Sequence, residues 1–144
     1  MGGSIGSEDQ RRYAERLVNL RLHQPVFRAR VIRAYDTACA VCRLRHADLL
    51  DAAHILGDAE SGQPVVTNGL AMCKIHHAAY DHGILGIRPD YRVRLRGDVL
   101  QEVDGPMLRY GLQEMHDRPL HLPTRPHDLP DRDALAQRWE SFSR

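Results

Sequence analysis

The sequence predicts an α+β domain, with a small strand-and-helix core braced by a metal ion, helices before it and an extended tail after it. Three observations carry that expectation. Two metal-binding knuckles, Cys39-x-x-Cys42 and Cys73-x-x-His76, bracket the middle of the chain. Between them Leu49–Leu56 is a mostly apolar run of strand length, with Asp51 and His54 set into it. Outside them the patterning changes, to arginine-rich helical spacing before Cys39 and to prolines at 119, 123, 126 and 130 after it.

The N-terminal elements follow from local signals. Met1–Ser7 reads as a flexible leader, and Ser7-Glu8-Asp9-Gln10 matches a capping box with Ser7 as N-cap. Tyr13, Leu17 and Leu20 then keep helical spacing. Pro25 is expected to end that helix and open a second one at its first turn. Val26, Phe27, Val31, Ile32 and Tyr35 would form the buried stripe of the second helix.

In the centre, Cys39–Cys42 makes a tight knuckle and Leu49–Leu56 a mostly buried strand. Gly57–Pro64 is a polar loop by composition. Asn68-Gly69 is expected to turn the chain, and Cys73–His82 to form a short helix that stops at Gly83. Tyr91–Leu95 alternates apolar and basic side chains, as a half-exposed strand does. Beyond Pro119 an extended wrap leads to a last helix, Asp131–Phe142, docking Leu135, Trp139 and Phe142. No internal repeat is visible. The expected organisation is a leader and basic helices over 1–36, a metal-braced core over 37–97 and a packing extension over 98–144.

At 144 residues the chain is one small domain, and cores of this size commonly draw on a bound metal for stability. No apolar run approaches the ~20 residues needed to span a bilayer, and the N-terminus lacks a signal-peptide profile. All three cysteines fall in the knuckles, which leaves none for a disulfide and points to a reducing cytoplasm. The net charge is only +1, but its distribution is uneven: residues 10–46 hold nine arginines against Glu15 and Asp36. Lys74 is the sole lysine. Guanidinium forks suit bidentate phosphate contacts.

Cys39, Cys42, Cys73 and His76 supply the soft and borderline ligands that tetrahedral Zn²⁺ takes. On a helix Cys73 and His76 share a face, so both reach one ion. Four protein ligands leave no open position, which makes that zinc structural. His77, next to His76, points about 100° away on a helix and must serve something else. It shares its face with Asp81 at i+4, a pairing suited to a hard divalent ion with open positions. His54, from the strand, would face that ion.

The run CAVCRLRHADLLDAAHILGDAESGQPVVTNGLAMCKIHHAAYDHG resembles the HNH, or ββα-metal, endonucleases. It is most similar to the zinc-containing HNH domains of bacterial restriction enzymes, particularly modification-dependent ones. The likeness covers residues 37–97 and extends weakly into Phe27–Tyr35. The triplet is His54, Asn68 and His77, separated by 14 and then 9 residues. The resemblance implies that His54 is the general base, that Asn68 fastens the loop and orients the base, and that His77 binds a catalytic Mg²⁺, Mn²⁺ or similar ion. One position departs from the pattern. Many family members carry an Asp or His ligand directly before the base, and here that residue is Ala53. Asp51 is the nearest carboxylate on the strand, but alternation puts it on the face opposite His54.

Two functions are compatible with these residues. One is a metal-dependent endonuclease acting on double-stranded DNA, with Arg28, Arg30, Arg33, Arg43, Arg92 and Arg94 on phosphates. Asp51 then assists catalysis, Asp81 shares the ion, and His46 and His82 stay at the surface. One such core cuts one strand, so double-strand cleavage requires a homodimer or two sequential nicks. The alternative is a non-catalytic zinc module that binds nucleic acid.

Overall fold

The computed structural model describes residues 3–57 and 62–143, and leaves the side chains of residues 3–6, 19–23 and 143 undescribed. The centre of the polar loop and the first two residues of the leader lie outside the described residues, as do the side chains of Leu20 and Arg21.

The core is a ββα unit. β1 (Leu50–His54) pairs antiparallel with β2 (Gly69–Cys73) in regular register from Leu50↔Cys73 to His54↔Gly69. Helix α2 (Lys74–Asp81) follows β2 directly and packs on both strands. Cys73 is its N-cap, its sulfur accepting from the His76 amide. At the other end Gly83 has φ +71°, a conformation that costs glycine little, and its amide bonds to the Tyr80 carbonyl. A second antiparallel pair, β3 (Leu85–Ile87) with β4 (Val93–Leu95), closes the far side. The observed strands are shorter than the sequence suggests, because Arg92 makes only an isolated bridge with Pro119 and Tyr91 has φ 67°.

One long helix, α1 (Gly3–Ala34), precedes the core and carries Pro25 inside it. This corrects the expectation of two helices and of a helix start at Ser7. A proline inside a helix costs ~3 kcal/mol locally and removes one i→i−4 bond; it does not by itself force a break. The second half of α1 is anchored by Phe27, Val31 and Ile32, with Tyr35 just beyond it, all buried in the core. Val26, expected in that stripe, is 48% exposed, and Tyr13 on the first half is 60% exposed.

The dipeptide Asn68-Gly69 is not the site of a turn. Asn68 ends a 3₁₀ turn (Val66–Asn68), and Gly69 is the first residue of β2 with ordinary extended φ. A Cβ there would lie 2.5 Å from Val31 Cγ2 and 2.9 Å from Phe27 Cζ. The glycine therefore allows close approach of α1 to the sheet.

After β4 come α3 (Gly97–Gln101), a π-helical turn over Met107–Leu112 and a 3₁₀ turn over Gln113–Met115. Residues 119–131 cross the core, bonding through His121 N to Ala40 O and Asp131 N to Thr67 O, but the expected extended wrap is interrupted by a 3₁₀ turn over Pro126–Asp128. α4 (Arg132–Ser143) docks by the fully buried Leu135, with Asp131 capping its first amides. Among the described residues no helix is long and apolar enough to cross a membrane.

Candidate metal centre and active-site cleft

Tight hydrogen bonding builds the knuckle at Cys39–Cys42. Cys39 N donates to Leu44 O, Arg43 N to Cys39 O with Arg43 at φ 64°, and Ala40 N to Ala71 O of β2. These bonds carry Cys39 and Cys42 to the start of α2, where Cys73 and His76 wait. One ligand atom from each of the four residues lies within 4.8 Å of every other. His76 Nδ1 is 3.3 Å from Cys73 Sγ and 3.7 Å from Cys39 Sγ. Tetrahedral bonds of the usual Zn–S and Zn–N lengths give ligand separations of about 3.6 Å, so the donor set fits zinc. The thiols of Cys42 and Cys73 pull the Cys39 thiol well below its ordinary range. Burial opposes charge on His76, yet the sulfurs of Cys39 and Cys73 push its imidazole up to about 10. Hydrogen bonds to Cys39 and Cys73 push the Cys42 thiol the other way, so the four donors share their protons as one cluster, and a bound cation would displace those protons.

With Nδ1 turned to the sulfurs, His76 Nε2 donates to the Gly111 carbonyl at 2.6 Å. That bond fixes the tautomer and ring plane, as it would have to for His76 to ligate a metal through Nδ1. Its acceptor sits in the π-helical turn of the C-terminal extension, a partner that no local sequence signal marks.

His77 faces the other way. Its Nδ1 bonds Asp51 Oδ2 at 2.8 Å and its Nε2 lies 3.2 Å from Asp81 Oδ2. The two carboxylates thus occupy opposite edges of one imidazole. Lys74 also pairs with Asp51. Burial opposes ionisation of Asp51, but the hydrogen bonds from His77 and Lys74 outweigh it and hold the carboxyl below its usual range.

His54 stacks on Phe27, with ring centroids 4.3 Å apart and planes inclined by 12°. Burial lowers its pKa first, and the nearby His77 adds to the effect, while Asp81 opposes it. An open cleft of ≈ 640 Å³ is lined by Gln24, Pro25, Phe27 and Arg28 of α1, Asp51, Ala52 and His54 of β1, and His77 of α2. The register of β1 runs without a bulge, but its burial does not alternate, Asp51 and Ala52 both being half-buried. Asp51, Ala52 and His54 all line the cleft, against the expectation that Asp51 and His54 face opposite ways. Ala53, between them, is buried. Asp51, two residues before Ala53, places its carboxylate on His77 Nδ1.

Asn68 is brought close in the chain but not into the cleft. Its buried amide accepts from Leu56 N at 3.0 Å and donates to Leu56 O at 2.9 Å and Gln63 O at 3.0 Å. These bonds secure the chain just after His54.

The arginines divide into groups. Arg28 lines the cleft, but its Nη2 donates to the carbonyls of Ala47 and Leu50, each at 3.0 Å, and so also staples α1 to the start of β1. Arg30 and Arg33 are exposed and make no ion pair among the described residues. Arg33 borders a groove with Arg28 and Arg45, and Arg30 and Arg33 border another with Arg125, both grooves also lined by Asp36. Arg43 is exposed on the knuckle. Arg92 and Arg94 are bonded to Asp117, and Arg96 to Asp98. None of these three lines the cleft. His46 and His82 are exposed.

The fold and site define a zinc-fitted ββα core with two histidines across one cleft. Residues 39–88 match the HNH endonuclease family, a match that supports a nuclease. A modification-dependent TagI restriction endonuclease has a similar fold. It is 22% identical, with TM-score 0.54, and the likeness covers 82% of this chain and 38% of that one. The chain thus corresponds to well under half of that protein. No curated protein matches.

Proposed function

We propose that the protein is a metal-dependent DNA endonuclease of the bacterial restriction type, with His54 as general base. The observation that carries this reading is the pairing of His54 and His77 across a single cleft, with His77 bracketed by two carboxylates.

Hydrolysis of a phosphodiester requires an activated water, charge stabilisation at the phosphoryl oxygens and help for the leaving oxygen. The depressed pKa of His54 keeps its imidazole neutral near pH 7, as a base must be. Phe27 holds the ring plane by stacking. Asn68 anchors the backbone that follows, so the base has little freedom to move.

Because Asp51 and Asp81 sit on opposite nitrogens of His77, one ion at His77 can share only one of them. Asp81 lies beside Nε2, and both Asp81 and His77 act electrostatically on His54. We assign Asp81 and His77 Nε2 as ligands of the catalytic divalent ion. Asp51 then accepts from Nδ1–H and orients the ring. A Mg²⁺ or Mn²⁺ ion there supplies charge neutralisation at the phosphate. Cys39, Cys42, Cys73 and His76 hold structural zinc.

Double-stranded DNA is the proposed substrate, gripped by Arg30, Arg33, Arg43 and Arg45, with Arg28 at the mouth of the cleft. Cysteines committed to zinc suit a reducing cytoplasm. Double-strand cleavage would come from a homodimer or from paired nicks.

The test is nicking of supercoiled plasmid with Mg²⁺ or Mn²⁺, wild type against His54→Ala. Loss of cutting in the variant is expected. Equal cutting would remove the base assignment. Absence of cutting by the wild type, on modified and unmodified DNA alike, would leave a zinc-stabilised binding module.

A further inference from the structure

Arg138 lies far beyond the segment that matches the HNH family, yet its guanidinium reaches both walls of the candidate site. Nη1 donates to the carbonyls of His54 at 3.3 Å and Ile55 at 2.9 Å. Nη2 donates to Tyr80 O at 3.1 Å and stands 3.6 Å from Asp81 Oδ1. The same group rests 3.9 Å from the centroid of the Tyr80 ring.

β1 leaves its ladder with β2 at His54, so the carbonyls of His54 and Ile55 lie at the strand end, while the Tyr80 carbonyl, which already accepts from Gly83 N, takes the guanidinium as a further donor. A planar fork can bind carbonyls from two elements at once, which a lysine ammonium on its flexible stem does poorly. With only 23% of its side chain exposed, Arg138 makes these bonds partly shielded from water. The Asp81 contact is too long for a hydrogen bond and contributes charge compensation. α4 holds the guanidinium in place through buried Leu135 and the Asp131 cap.

We infer that Arg138 is a positioning residue of the nuclease, fixing the strand end that carries His54 against the helix that carries His77 and Asp81. It sets the separation between the base and the metal-binding side chains. The catalytic unit therefore extends to the C-terminal helix. This inference rests on the roles proposed above for His54 and His77.

The experiment is plasmid nicking with Mn²⁺ by wild type, Arg138→Ala, Arg138→Lys and His54→Ala, with zinc content and melting temperature measured on each. Arg138→Ala is expected to retain zinc and remain folded at the assay temperature. Its kcat should fall at least about tenfold while KM for DNA stays within about twofold, the signature of misplaced catalytic groups. Arg138→Lys should fall between it and wild type. Added methylguanidinium should restore Arg138→Ala several-fold and leave His54→Ala inactive. Wild-type kcat in Arg138→Ala, beside an inactive His54→Ala, would overturn the inference and spare the nuclease reading. So would a loss of rate fully matched by loss of folded, zinc-loaded protein. A wild type that never cuts would overturn both.

Discussion

His54 would be an unremarked histidine on a short strand were it not stacked on Phe27 and set across a cleft from His77. Burial and the neighbouring imidazole favour its neutral form, so its folded pKa lies below the ordinary histidine value. The neutral base predominates at pH 6.5 and is lost as pH falls through the lower folded value. The acid limb of kcat/KM should therefore lie below 6.5, and a limb at or above it would contradict the assignment. His77→Ala should leave zinc bound and mainly lower turnover, as read by metal content and nicking rate. Asp51→Asn should raise the divalent-ion concentration for half-maximal rate by about 10- to 100-fold, the usual cost of losing a carboxylate behind a histidine ligand. An unchanged ion requirement would show that Asp51 does not orient His77.

At the scale of elements, the zinc knuckles join β2, α2 and the segment before β1. Cys42→Ser should cost about 3 kcal/mol or more, since structural zinc contributes folding free energy outright. For a domain of this size that is a fall in Tm of about 10 °C. An unchanged Tm and zinc content would refute the clamp. Gly69→Ala tests the other junction, because its Cβ would collide with Val31 and Phe27. Overpacking of this kind costs about 1–3 kcal/mol, and since Phe27 carries the His54 ring, nicking should fall with Tm. The knuckles, the strand around His54 and the α2 stop at Gly83 are legible in sequence because each depends on chain-local chemistry. The continuity of α1 through Pro25 is not, because the penalty of a proline is local while the anchoring of Phe27, Val31, Ile32 and Tyr35 is tertiary.

For the whole molecule, the basic stripe beside the cleft comes from α1 and the C-terminal wrap together, with Arg125 joining Arg30 and Arg33. Arg30→Ala, Arg33→Ala or Arg125→Ala should each reduce the salt slope of DNA binding by about one and weaken binding alike on all sequences. Arg92→Ala should change that slope little, as its guanidinium is bonded to Asp117. Equal slopes for Arg33→Ala and wild type would move the DNA path elsewhere.

Spacing alone marked Cys39, Cys42, Cys73 and His76 as one ligand set and gave His76 and His77 opposed directions, because the helical period acts within one short stretch. The triplet His54, Asn68 and His77 was marked by the resemblance of that stretch to the HNH endonucleases. Only the tertiary structure decided that Asp51 meets His77, that Phe27 stacks on the base, and that Gly111 and Arg138 support the two metal-facing elements. Each of those contacts joins residues more than twenty positions apart, where no backbone period relates one side chain to another.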